Sequence, residues 1–227
     1  MKIKGSVKVV RKNDLYYELD SNNRVRIRKP WLGDIFSAFY DRIMERNIFP
    51  KKFNGSIHKH FELLKNEFNT IHGRQIIEFA TGSGNAVEFL NNDNVYTGID
   101  VSAGLLRIAR KKLILSGFKE PEFYVSDASD TPFAEDCFDM AICNLSLNFF
   151  RDIDAFISEL QRVLKPGGTF YCSTPIPEKK KPGVKIRGTL FSAEELENKF
   201  QRQGFDFQKL PYENGSLLYF IATLREA

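Results

Sequence analysis

Cysteine is scarce in this chain. There are three among 227 residues, Cys137, Cys143 and Cys172, with no C-x-x-C spacing and one left over from any pairing. That argues against a disulfide frame or a zinc site as the organising device, and thiols set in apolar runs serve as small hydrophobes. Long apolar runs are missing too. No stretch approaches the roughly 18 apolar residues of a membrane span. The opening MKIKGSVKVVRK has no apolar run of signal-peptide length, so a reducing cytoplasm is the expected setting. Charge of one sign is also scarce, since 33 Lys and Arg against 29 Asp and Glu leave only +4, far from the balance of a dedicated nucleic-acid binder. What remains, 42% hydrophobic and 27% charged residues, is the composition of an ordinary globular chain. Its length suits one domain with a small appendage.

The first thirty residues alternate like strands. Val7 and Val9, Tyr17 and Leu19, then Val25 and Ile27 lie two apart, which predicts a small antiparallel meander closed by Pro30. Asp34 is placed to cap a helix whose apolar face is Ile35, Phe36, Phe39, Tyr40 and Ile43, over about Asp34–Arg46. Asn54-Gly55-Ser56 breaks the chain, and a second amphipathic helix follows from about Ile57 to Phe68. From Gln75 the rhythm becomes strand, helix, strand. Strands are expected at Ile76–Ala80, Val95–Ile99, Glu122–Val125, Met140–Asn144 and Thr169–Ser173, with helices at Ala86–Leu90, Leu105–Leu115 and Ile153–Leu164. The capping box Ser192-Ala193-Glu194-Glu195 opens a last helix ending at Gly204, and Phe205–Leu210 and Leu217–Leu224 supply two final strands. Alternation of this kind predicts a mainly parallel sheet covered on both faces.

In such a sheet ligands sit where the strands end. After the first comes Glu78-Phe79-Ala80-Thr81-Gly82-Ser83-Gly84-Asn85, whose glycines let the backbone turn and approach a ligand, or simply make a tight turn. The second strand ends in Asp100, an acceptor-only group suited to a ribose diol, and the third is followed by Asp127, which can accept from an adenine amino group. A dinucleotide site wants a third glycine where Val87 stands, and no G-x-x-x-x-G-K loop is present.

On these residues the chain resembles the class I S-adenosylmethionine-dependent methyltransferases. EFATGSG is similar to their glycine-rich motif, with Ala80 in place of the first glycine, and GIDVSAGLL to their ribose-binding segment. The run from Ser126 through Phe138-Asp139 to Arg162-Val163-Leu164-Lys165-Pro166-Gly167-Gly168 is similar to their central block, in order and in spacing. The resemblance implies an α/β fold, Rossmann-like and doubly wound. Its mainly parallel seven-stranded sheet would end in a C-terminal antiparallel strand, with the N-terminal β-meander and two cap helices added. The expected division is a meander and helical cap over residues 1–73 and a cofactor-binding domain over 74–227. It also implies that Glu78, Ala80, Thr81, Gly82 and Gly84 face the methionine and ribose part of S-adenosylmethionine. Asp100 would hold the ribose hydroxyls, Val101 and Leu105 would flank the adenine, Asp127 and Ala128 would meet its edge, and Asn144 would lie near the methionine moiety.

The acceptor is less legible. No N/D-P-P-aromatic segment follows the fourth strand and no Pro-Cys pair appears, so a small molecule is expected rather than nucleic acid. No base stands out for an acceptor that must lose a proton. Tyr40 and His58 are the weak candidates. Tyr40 lies in a segment similar to the helix that precedes the catalytic domain in ubiquinone/menaquinone-type C-methyltransferases, though a core aromatic would look the same. His60 and His72 are surface residues on the plainest reading. The loop Pro177–Arg187 carries Lys179, Lys180, Lys181, Lys185 and Arg187, either to attract an acidic substrate or a lipid headgroup or merely as a solvated face. A silent cofactor-binding module acting through a protein partner is the alternative to an enzyme, and the oligomeric state is not readable.

Overall fold

The computed structural model describes residues 2–26 and 40–226, and of Tyr40 it describes the backbone alone. The expected helix over Asp34–Arg46 therefore lies largely outside the described residues. Its remainder, α1, begins as an α-helix at Tyr40–Ile43 and continues as a π-helix, Met44–Phe53, well past Arg46. Pro50 has no N–H to give to an α-helical ladder, and wider turns accommodate that loss. Asn54, at φ 52°, ends the segment, and Ser56 caps α2, Ile57–Phe68, as the sequence pattern predicts.

Among the described residues nine strands form one sheet, two more than expected. They are β1 (Val9–Lys12), β2 (Leu15–Glu18), β3 (Gln75–Phe79), β4 (Val95–Asp100), β5 (Glu122–Val125), β6 (Phe138–Asn144), β7 (Leu164–Pro175), β8 (Phe205–Lys209) and β9 (Leu217–Leu224), in the order β1-β2-β5-β4-β3-β6-β7-β9-β8. The parallel run β2-β5-β4-β3-β6-β7 is followed by β9, the antiparallel C-terminal strand. The two additional strands are the N-terminal hairpin. Asn13 and Asp14, at φ 50° and 62°, make the two-residue turn that suits strand twist, and β2 then pairs with the edge strand β5. Of the expected third strand the described residues hold a single bridge, Leu19 to Val25, and Ile27 lies outside them.

Helices α3 (Ala103–Leu115), α4 (Ile153–Val163) and α5 (Ala193–Arg202) begin at side-chain caps supplied by Ser102, Asp152 and Ser192. The helix expected over Ala86–Leu90 is only a 3₁₀ turn, Asn85–Glu88. Successive strand residues point to opposite faces. Ile77, Phe170 and Phe220 thus join Phe156, Ile157 and Phe200 in one core layer. Their neighbours Ile76, Tyr171 and Tyr219 join Leu106 and Leu113 of α3 in the other, which also takes up Phe49, Phe53, Leu64 and Phe68 of the cap. Residue 73 marks where the central sheet begins, yet the segments on its two sides share one sheet and one core.

Candidate cofactor and acceptor site

The glycine-rich loop leaves β3 at Ala80, which sits at φ 53°. The Thr81 amide donates to the Ile99 carbonyl at 2.9 Å, and its hydroxyl donates to the Glu78 carbonyl at 3.0 Å. Gly98 beneath it must lack a side chain, since a Cβ there would lie 2.7 Å from Thr81 Oγ1. At Gly84, φ 80°, a Cβ would fall 2.6 Å from Ala109 Cα, so glycine is what lets α3 approach the loop.

Asp100 is 9% exposed and fastens this corner. One carboxylate oxygen accepts from Gly82 N at 2.9 Å and the other from Ser102 N at 2.8 Å, which fixes the carboxylate at the strand end. Nearby, Glu78 is buried beneath the loop and accepts from the Tyr96 hydroxyl. Burial raises its carboxyl to about 8, against hydrogen bonds from Tyr96 and Asn144 that favour ionisation, and the charge of Asp100 adds to the rise.

A cleft runs between loop and cap. The loop side contributes Glu78, Ala80, Thr81, Gly82, Ser83 and Asn144, and the cap side Met44, Phe49, Ile57, His60 and Phe61. The cap is also tied down by Asp41, which accepts from Ser83 Oγ at 2.5 Å, from Asn85 Nδ2 at 3.2 Å and from Lys112 Nζ at 2.5 Å. Partial burial would raise the Asp41 carboxyl, but the hydrogen bonds from Lys112 and Ser83 outweigh it and hold it below the usual range.

The predicted residues thus fall into two groups. Glu78, Ala80, Thr81, Gly82 and Asn144 line the cleft, whereas Asp100, Val101, Leu105, Asp127 and Ala128 do not. Gly84 is where α3 packs against the loop and is not part of the lining. Along the rim, Leu105 is 1% exposed and Val101 is 37% exposed, so Val101 is the apolar side chain open to a ligand there. The Asp127 carboxylate accepts from Ser129 N at 3.1 Å.

The histidines exchange places. His58 points to solvent, 86% exposed and 3.9 Å from Glu45, and is not brought to the cleft. His60, expected at the surface, is 1% exposed and lines it. Its place on the stripe Ile57, His60, Leu64, Phe68 was the available signal. The side chain of Tyr40 lies outside the described residues. In the basic loop Lys179 pairs with Glu213 at 3.1 Å, and the Arg187 carbonyl accepts from Asn148 Nδ2 at 2.6 Å, which docks the loop beside the end of β6. Among the described residues no helix is long and apolar enough to cross a membrane.

The composition of the cleft tests the expected cofactor. Among the described residues its lining includes no Lys or Arg, and its one carboxyl is Glu78. A buried carboxyl that a bound cation would draw into its ionised form suits a sulfonium or an ammonium.

Comparison with known proteins agrees. Residues 77–172 match the family model described as a methyltransferase domain. Over 103 residues, 44% of this chain and 36% of the relative, the sequence is 30% identical to a fatty-acid O-methyltransferase of Mycolicibacterium smegmatis. Over 110 residues, 46% of this chain and 44% of the relative, it is 32% identical to a demethylmenaquinone methyltransferase of Clavibacter sepedonicus. The chain therefore matches less than half the length of these curated relatives. In fold it is similar to the crystal structure of a SAM-dependent methyltransferase from Aquifex aeolicus, with a TM-score of 0.63 and 17% identity over 83% of this chain and 98% of that one.

Proposed function

We propose that the whole chain is a class I S-adenosylmethionine-dependent methyltransferase that methylates a small, largely apolar molecule, a reading supported by the match of residues 77–172 to a methyltransferase-domain model. The observation that carries this reading is the cleft itself. One wall is the glycine-rich loop with Glu78 and Asn144, and the other is the apolar cap face of Met44, Phe49, Ile57 and Phe61. When bound, the cofactor would supply an electrophilic methyl group on a positively charged sulfur, which would take back the bonding electrons on transfer to an acceptor lone pair.

The chain's own part is placement. In this reading Glu78, Asn144 and the loop amides receive the methionine end, while Asp100 holds the ribose. The cap excludes water and sets the acceptor in line with the methyl group, at about 3–3.5 Å. Fatty-acid and menaquinone-precursor acceptors, as the relatives' names give them, are of the chemistry that such apolar walls admit. Nucleic acid is not the expected acceptor, and the protein is expected to work in the cytoplasm.

Two measurements test the proposal. Calorimetry should detect binding of S-adenosylhomocysteine, and incubation of the protein with S-adenosylmethionine and a metabolite extract should yield S-adenosylhomocysteine. Binding without turnover on any extract would instead mark a silent module acting through a partner. Tight, steeply salt-dependent binding to tRNA or DNA would point to phosphate contacts and overturn the small-molecule assignment.

A further inference from the structure

His60 has a geometry that its proposed surroundings do not require. The imidazole is wedged between Phe49, Phe61 and Tyr219, with ring centroids 5.3, 5.5 and 5.6 Å away. Nδ1 lies 2.9 Å from the Tyr219 hydroxyl, and that hydroxyl accepts from Asn214 Nδ2 at 3.1 Å. Asn214 is itself fixed, accepting from Ser56 N at 2.8 Å and donating to Ser56 O at 2.9 Å, where α2 begins.

This chain of bonds selects a tautomer. Tyr219 already accepts from Asn214, and among the described residues its own proton has no acceptor other than His60 Nδ1. Nδ1 therefore accepts, and the ring proton sits on Nε2. Among the described residues Nε2 has no protein partner, and the ring borders the cleft. Burial holds the imidazole neutral, lowered to about 3, so no positive charge stands beside a sulfonium. A neutral imidazole protonated on Nε2 is a hydrogen-bond donor and not a base.

The other polar groups of the cleft do not supply a base either. Glu78 is buried beneath the loop with its carboxyl bonded to the Tyr96 hydroxyl. The Ser83 hydroxyl donates to Asp41, and that of Ser146 donates to the Asn144 carbonyl. With no free base among the described lining residues, an acceptor that has to lose a proton before attack would arrive already ionised. No Lys or Arg stands among them either, so the charge of such an acceptor would be balanced by the cofactor's own cation. We infer that the acceptor is an apolar molecule carrying an oxyanion formed in water, a carboxylate or an acidic phenolate or enolate, and that His60 donates Nε2–H to that oxyanion. This rests on the methyltransferase reading. An oxyanion lone pair attacks the methyl carbon, no proton is released, and ester or ether and thioether leave uncharged.

The test uses the protein saturated with a non-transferring cofactor analogue that carries an ammonium in place of the sulfonium, at mildly alkaline pH. Octanoate and 4-nitrophenolate are compared by calorimetry with 1-octanol and 4-nitroanisole. The inference expects at least one anion to bind about tenfold or more tightly than its neutral partner. His60→Phe should erase that preference and His60→Gln, which keeps a donor, should regain part of it, with S-adenosylhomocysteine affinity unchanged in both. In wild type, ¹⁵N NMR should find the ring proton on Nε2, and Tyr219→Phe should shift population towards Nδ1. No preference for either anion, or a preference that survives in folded His60→Phe, overturns the inference. So does an Nδ1 proton in wild type, which decides the matter even where His60→Phe does not fold. Failure of wild type to bind S-adenosylhomocysteine would sink the methyltransferase reading instead, and the anion preference and the tautomer would still be measurable.

Discussion

At the scale of the residue, two positions carry separable loads. Asp100 accepts one backbone amide on each oxygen, so it shapes the loop, and in the proposed reading it also holds the ribose. Charge-assisted hydrogen bonds contribute about 1.5–3 kcal/mol each. Asp100→Ala should therefore weaken S-adenosylhomocysteine binding by roughly tenfold or more in calorimetry, with the circular dichroism spectrum retained. An unchanged affinity would remove Asp100 from the site. Ala80 shows the reverse case, a side chain where the backbone prefers none. At φ 53° an alanine is strained by on the order of 1 kcal/mol or more. A glycine there relieves that strain and gives back part of it as unfolded-chain entropy. Ala80→Gly should raise the unfolding free energy by roughly 0.5 kcal/mol in urea titration. A loss of stability would mean the turn is not strained.

At the scale of the element, cap and loop are one mechanical unit. Asp41 of α1 holds Ser83 and Asn85 of the loop and Lys112 of α3 through a single carboxylate. Its side chain is 46% exposed, so screening by water keeps the stability contribution below about 1 kcal/mol. The consequence for ligand exchange is larger, because the carboxylate is what joins the cap to the turn beside the cofactor. Asp41→Ala should change the melting temperature little but speed S-adenosylhomocysteine release several-fold in stopped-flow measurements. The wild-type rate should rise with salt. A variant that releases the ligand at the wild-type rate would show that cap and loop move independently.

At the scale of the whole molecule, two buried groups give stability a pH dependence of defined sign. The Glu78 carboxyl is raised from 4.5 to about 8, so the folded chain holds a proton that the unfolded chain has lost, and stability falls as pH climbs across that window. His60 is lowered from 6.5 to about 3, which makes stability rise with pH up to 6.5. The two oppose each other between 4.5 and 6.5, and only Glu78 acts from 6.5 to 8. Chemical denaturation should therefore show a loss on the order of 1–2 kcal/mol over that upper window. Glu78→Gln, a stand-in for the protonated acid, should flatten it, and a wild type already flat there would place the Glu78 proton elsewhere. None of this coupling is written in the residues near Glu78, because Tyr96 and Asn144 reach it from other strands. Local information did determine much else: the alternation of strands with helices, the capping box at Ser192, and the glycine-rich turn with acids after it. Each depends on residues a few positions apart, so each is legible in order along the chain. Tertiary structure alone decided that the N-terminal hairpin extends the sheet edge and that a π-helix carries the cap through Pro50. The stripe Ile57, His60, Leu64, Phe68 turns His60 inward, but tertiary structure alone set it against Tyr219 at the cleft. The edge pairing joins Tyr17 to Val125, and the histidine's setting joins Ser56 to Asn214 and His60 to Tyr219. Contacts between residues more than a hundred positions apart form only when the core closes, and no local pattern encodes them.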